Sequence, residues 1–119
     1  MAHVMIHNTQ GHEQVERASL AFVAANIALS SGQQATVLLT IEGVRVATQN
    51  YANGLQADGF PPLQDLVSQF VHGGGQVWVC GACAKPRGIS EADLIEGARI
   101  VGAATAVEAL VNGAGTLSF

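Results

Sequence analysis

Short runs of apolar, β-branched residues alternate along this chain with longer stretches of helical periodicity, and this alternation most restricts the fold. Five runs have the character of strands, at 4–6, 35–40, 76–79, 99–103 and 116–119. Helices are predicted between them at 13–31, 42–48, 61–72, from Ser90 onward, and at 104–111. Such alternation is typical of βαβ units with parallel strands. The sequence therefore predicts one α/β domain over residues 1–119, small, doubly wound and flavodoxin-like, with a mostly parallel five-stranded sheet and helices on both faces.

The helix predicted at 13–31 is apolar on two opposite sides. One side carries five residues at helical spacing and the other carries three: Val15, Ala18, Phe22, Ala25 and Leu29, against Leu20, Val23 and Ile27. A sheet covers only one side of a helix, so the second side needs a neighbouring helix or another subunit. Only 12% of the residues are charged, about half of the roughly 25% found in a typical soluble domain. Both features predict a homo-oligomer.

Composition and motifs exclude several classes of function. A formal net charge of −4 argues against a nucleic-acid-binding protein, because phosphate binding needs a basic face. No apolar run approaches the ~20 residues of a membrane helix, and no signal-peptide pattern opens the chain, so we expect a cytoplasmic protein. Neither a G-x-G-x-x-G pattern nor a P-loop is found, and no bound cofactor is predicted.

The carboxyl ends of parallel strands are where functional residues collect, and several polar side chains fall there. His7 and Asn8 end the first strand, and both are candidates for lining a pocket. His7 is a candidate base or hydrogen-bond donor, or else a residue that caps loop amides. Glu42 follows the second strand and either lines the pocket or stabilises its own helix. Cys80 ends the third strand.

Both cysteines and two of the five basic residues of the chain lie in the segment from Cys80 to Gly88. The thiolate is the nucleophilic form of cysteine, and nearby cations favour it. We therefore expect Lys85 and Arg87 to favour the thiolate of Cys80. The simpler alternative is that Cys80 and Cys83 pack in the core, as free cysteines often do.

The C-x-x-C spacing of Cys80 and Cys83 raises two further alternatives. A structural zinc site needs four ligands, and no second paired motif supplies the remaining two, so no metal is predicted. A dithiol of the thioredoxin type is also compatible with βαβ units. In such enzymes the motif opens a long helix, whereas Pro86 and Gly88 interrupt the chain here.

The motifs, taken together, resemble the DsrE/DsrF-like sulfur-relay family. They are Ile-His-Asn-Thr after the first strand, Leu-Thr-Ile-Glu-Gly after the second, and Trp-Val-Cys-Gly-Ala-Cys-Ala-Lys-Pro-Arg-Gly-Ile around Cys80. The resemblance extends over essentially the whole chain. It implies small α/β subunits in homo- or hetero-oligomers, often trimers or hexamers, that exchange sulfur with donor and acceptor proteins. It also implies a persulfide on the strand-end cysteine, Cys80, and it matches Arg87-Gly88 to the family's basic residue followed by glycine.

Cys83 departs from the single-cysteine pattern that the resemblance implies. A persulfide on Cys80 is open to attack by Cys83, which would release sulfide and leave a disulfide. Cys83 therefore either adds redox chemistry or lies turned away. We expect a persulfide-carrying protein, a possible sulfurtransferase, with a dithiol oxidoreductase or a non-catalytic assembly subunit as the alternatives.

Overall fold

A single parallel sheet organises the chain. The computed structural model describes residues 2–119 and contains strands β1 (His3–Asn8), β2 (Gln34–Leu39), β3 (Gln76–Cys80), β4 (Ala98–Val101) and β5 (Gly115–Ser118). Their order is β4-β3-β2-β1-β5, and all four pairings are parallel. The predicted five-stranded sheet is confirmed, with each strand within about two residues of its expected bounds.

Four α-helices and four 3-10 segments connect the strands. The helices are α1 (Val15–Ser30), α2 (Leu63–His72), α3 (Gly81–Ala84) and α4 (Ala103–Val111). The 3-10 segments are His12–Gln14, Ile41–Ala47, Lys85–Arg87 and Glu91–Asp93. The segments predicted as short helices at 42–48 and after Ser90 are thus 3-10 rather than α, the form usual for such short pieces. Gly32 follows α1 with a φ of +84°, a conformation that glycine adopts without strain.

Helices cover both faces of the sheet, as predicted. On one face, α1 and α2 pack side by side, and the Phe22 and Phe70 rings meet edge to face with centroids 5.9 Å apart. The opposite face is covered by α4 alone, over a smaller cluster that contains Met5, Trp78 and Val101. None of the helices in residues 2–119 has the length and apolarity needed to cross a membrane.

The order in which strands are added to the sheet reverses at β1 and β5. The chain adds β2, β3 and β4 successively on one side of β1, and β5 then returns to the other side. In sheets of this kind, ligands bind outside the carboxyl ends of the strands, often at such a reversal. His7 of β1 lies at the reversal, whereas Cys80 lies at the same edge of the sheet two strands away.

The chain leaves two apolar helix surfaces without cover. Two of the three residues on the predicted second side of α1 are exposed, Ile27 at 61% and Leu20 at 41%, whereas Val23 packs partly against the core. No residue of α4 is buried, and Val111 near its end is 78% exposed. In a single chain, α2 covers one flank of α1 and nothing in residues 2–119 covers these outer surfaces.

Candidate functional site

The two cysteines lie at the junction between β3 and α3. Cys80 is the last residue of β3, in register with Val101 of β4, and it is also the N-cap of α3. Cys83 is the third residue of that four-residue helix. Both are free thiols, partly buried at the edge of the main core. Helical geometry separates their Cα atoms by about 5 Å, within the range that a disulfide can bridge.

Thr40, directly after β2, lies beside Cys80 at the carboxyl edge and is bonded to His7 of β1. Leu39 of β2 pairs with Val79 of β3, and continuing this register brings Thr40 next to Cys80. The Thr40 hydroxyl forms a 2.8 Å hydrogen bond with Nε2 of His7. His7 is therefore hydrogen-bonded to the residue that lies beside Cys80 in the register, although β2 lies between the strands of His7 and Cys80.

The setting of His7 favours its neutral form. Burial lowers the pKa of its imidazole from the usual value of 6.5, because desolvation disfavours the charged form. The hydroxyls of Thr40 and Ser118 lie 2.8 Å from Nε2 and 3.5 Å from Nδ1, and hydroxyls can donate or accept. Either tautomer fits, and a neutral imidazole can accept a proton.

Asn8 holds the loop after β1 and does not face an open pocket. Its side chain is fully buried. Its Nδ2 donates to the carbonyl of Gln10 at 2.9 Å, and its Oδ1 accepts from the amide of Gln10 at 3.1 Å. These bonds form an Asx-type turn that fixes the path of the chain beside β1.

Glu42 links the segment after β2 to the segment that contains the cysteines. Its Oε1 accepts from Nε of Arg87 at 2.7 Å, and its Oε2 accepts from Nε of Arg45 at 2.9 Å. The hydrogen bond from Arg87, followed by that from Arg45, holds the pKa of the Glu42 carboxyl below its usual 4.5. Glu42 is therefore an ion-pair bridge between two arginines.

Arg87 turns back over the helix that follows Cys80. Besides pairing with Glu42, its Nη1 donates to the carbonyl of Cys83 at 3.1 Å. Lys85 is exposed and forms no ion pair within residues 2–119. Arg87 thus binds a carboxylate and a backbone carbonyl and positions the Cys80–Arg87 segment. That Lys85 and Arg87 favour the Cys80 thiolate stays a prediction.

Some residues at this edge were not singled out from the sequence. Arg45 completes the bridge at Glu42, and its i, i+3 spacing from Glu42 is a signal that could have identified it. Ser118 and Ile41 carry no such signal, because their positions depend on how distant segments meet. Among residues 2–119, no group of three or more His, Cys, Asp or Glu side chains is arranged to hold a metal ion.

The comparison that decides the family covers nearly the whole chain. The sequence model of the DsrE/DsrF-like family matches residues 2–119. The chain belongs to the DsrE/DsrF-like family. The resemblance noted from the motifs is thereby confirmed.

Relatives of this DsrE/DsrF-like chain include two uncharacterized archaeal proteins. It is 34% identical over 102 residues to MJ0760 of Methanocaldococcus jannaschii, an alignment that covers 86% of this chain and 37% of that protein. It is 35% identical over 85 residues to MK0008 of Methanopyrus kandleri, covering 71% of this chain and 67% of that protein. The chain therefore spans little more than a third of MJ0760.

Solved structures share the fold of the DsrE/DsrF-like chain. The ychN protein of E. coli superposes with a TM-score of 0.83 at 18% identity, with all of both chains covered. Protein MTH1491 of Methanobacterium thermoautotrophicum, a protein of unknown function, gives 0.76 at 17% identity, again over the full length of both chains. At such low identity these likenesses establish the α/β fold alone.

Proposed function

We propose that this chain carries sulfane sulfur as a persulfide on Cys80. The Cys80 thiolate attacks the outer sulfur of a donor persulfide, forming a new S–S bond while the donor leaves as its thiolate. An acceptor thiolate then attacks the outer sulfur now held on Cys80, and the Cys80 thiolate is released. No net oxidation occurs in either step, because one S–S bond forms as another breaks.

One observation supports this proposal most directly. Cys80 ends β3 at the carboxyl edge of the sheet and remains partly exposed, so a second sulfur can reach it. Thr40 lies next to it in the register, and the neutral imidazole of His7 is hydrogen-bonded to Thr40. In this proposal His7, hydrogen-bonded to the neighbouring Thr40, is the candidate base for the Cys80 thiol. Membership of the DsrE/DsrF-like family supports the same chemistry.

The matched pair of Cys80→Ser and Cys83→Ser variants tests the proposal. Each protein is treated with inorganic polysulfide, desalted and examined by intact mass spectrometry. We expect one added sulfur atom on Cys83→Ser and none on Cys80→Ser, whereas the wild type keeps the added atom only where Cys83 does not displace it as sulfide. Equal addition to the Cys80→Ser variant, or no addition to any protein, would exclude Cys80 as the carrier.

A dithiol oxidoreductase is the second candidate, and the position of Cys83 supports it. Cys80 at the N-cap and Cys83 at the third position of α3 lie on neighbouring sites of one helical turn, about 5 Å apart. A redox titration monitored by thiol alkylation tests this candidate. A reversible two-electron transition that is lost in either single Ser variant supports it, and its absence eliminates it.

The chain also belongs, in this proposal, to a homo-oligomer, with a trimer or hexamer favoured. The exposed residues Leu20 and Ile27 of α1, and Val107, Leu110 and Val111 of α4, provide the apolar surface that subunits would bury. Light scattering that reports only the 12.2 kDa monomer at working concentration would contradict it. If assembly is the sole role of the chain, the double Cys→Ser variant retains full function.

A further inference from the structure

Ile41, at the rim of the Cys80 site, has a backbone conformation that its residue type disfavours. Its φ is +54°, whereas β-branched residues almost never adopt positive φ. The chain turns tightly here, since the Gly43 amide donates to the carbonyls of Thr40 and Thr9 at 2.9 and 3.1 Å. Ile41 takes the first central position of the Thr40–Gly43 turn, where glycine or asparagine is the usual residue when φ is positive.

Neither the backbone nor the core accounts for isoleucine at this position. The turn itself would form with less strain around glycine or asparagine. The side chain is 52% exposed, so it contributes only part of its surface to packing within the chain. Its strained conformation thus holds an apolar side chain out in solvent. A residue kept in a disfavoured conformation while half of its side chain stays in solvent points to a function outside the chain.

The position of Ile41 suggests what that function is. Thr40 lies next to Cys80 in the continued strand register, and Ile41 follows directly. Glu42, the next residue, is bonded to Arg87, which is bonded in turn to the carbonyl of Cys83. Any molecule that exchanges sulfur with Cys80 must bring its own sulfur into bonding distance at this rim. The 3-10 segment that Ile41 opens contacts both β3 and α3, so groups that flank the incoming sulfur can reach the exposed side chain of Ile41.

We propose that Ile41 is a specificity-determining residue that selects, as sulfur-exchange partners of Cys80, proteins whose reactive cysteine is flanked by apolar side chains. The inference rests on the proposed function for its biological meaning, but its test needs only a thiol at Cys80. Contact with the exposed half of Ile41 favours an apolar flank over a charged one by about five- to tenfold in rate.

Thiol–disulfide exchange tests the inference without any persulfide. In the Cys83→Ser background, Cys80 is the sole thiol of the chain. It is reacted with two probes, the tripeptide Leu-Cys-Leu and glutathione, each activated as a mixed disulfide with 2-thiopyridine. The Cys80 thiolate attacks the probe sulfur and a Cys80–probe disulfide forms. The leaving group takes up a proton from water to give neutral 2-thiopyridine, which is followed by its absorbance.

Asparagine tolerates a positive φ but is polar. We therefore expect Ile41→Asn to lower the rate of exchange with the Leu-Cys-Leu probe about five- to tenfold relative to the rate with the glutathione probe. The control Ile41→Val keeps an apolar side chain and should retain most of the selectivity. An unchanged rate ratio in Ile41→Asn, an equal loss with both probes, or a lower melting temperature would each overturn the inference. If the exchange rates behave as expected but polysulfide adds no sulfur to Cys80, the persulfide proposal is refuted and the inference about Ile41 stands.

Discussion

The ion-pair bridge at Glu42 permits a quantitative prediction. Replacing Glu42 with Gln keeps the shape of the side chain but removes the charge that Arg87 and Arg45 bind at 2.7 and 2.9 Å. All three side chains are partly exposed, so solvent screening limits each pair to about 0.5–1 kcal/mol. We expect the free energy of unfolding to fall by about 1–2 kcal/mol at pH 7. For a domain of this size, that loss lowers the melting temperature by about 3–8 °C.

The pH dependence distinguishes this bridge from a simple loss of packing. The pKa of Glu42 is lowered in the folded state, so its stabilisation is complete above its ordinary value of 4.5 and disappears as pH falls through the lowered value. Thermal unfolding of wild type and Glu42→Gln should therefore differ at pH 7, and the difference should shrink as the pH is lowered below 4.5. Equal melting temperatures at pH 7, or a difference that does not shrink below pH 4.5, would refute the reasoning.

Three further predictions concern the loops, the imidazole and the surface. Gly43→Ala should lower the free energy of unfolding in urea by about 2–3 kcal/mol, because its Cβ would lie 2.4 Å from the Asn8 carbonyl oxygen; Gly115→Ala, with open space around it, should change little. Because the pKa of His7 is lowered on folding, the free energy of unfolding should fall as pH drops below 6.5. Urea titrations at pH 5 and pH 7 should show a smaller fall for His7→Gln than for the wild type. Ile27→Lys, at 61% exposure, should lower the mass found by light scattering while the melting temperature of the monomer is preserved.

The sequence identified the sheet and the edge at which the site lies. Parallel strands end at one edge, so His7 and Cys80 could be expected there from the strand assignments alone. Strand order was not predictable in the same way, because it depends on which helix covers which face. Cys80 consequently lies two strands from the reversal of strand order that His7 borders.

Contacts between distant segments could not be derived from patterning. The Glu42–Arg87 pair joins residues 45 positions apart, and it forms only where the 3-10 segment after β2 meets the segment after α3. Asn8 shows that the role of a single residue is also difficult to predict from sequence. A polar side chain at a strand end is typical of a pocket wall. Here its amide satisfies the backbone of Gln10 and is buried instead.

Some local backbone conformations could not be predicted from the sequence either. The two short helical segments at Ile41–Ala47 and Glu91–Asp93 are too brief for apolar periodicity to distinguish α from 3-10 geometry. The positive φ of Ile41 was undetectable, because isoleucine is a residue from which extended or right-handed backbone is expected.

The measurement that tests the account most directly is the intact mass of the Cys83→Ser variant after exposure to inorganic polysulfide, followed by addition of an excess of a small thiol. We predict that one sulfur atom is added, that peptide mapping locates it on Cys80, and that the thiol removes it and restores the original mass. A chain that never gains the atom, or that gains it when Cys80 has been replaced by Ser, would contradict the account.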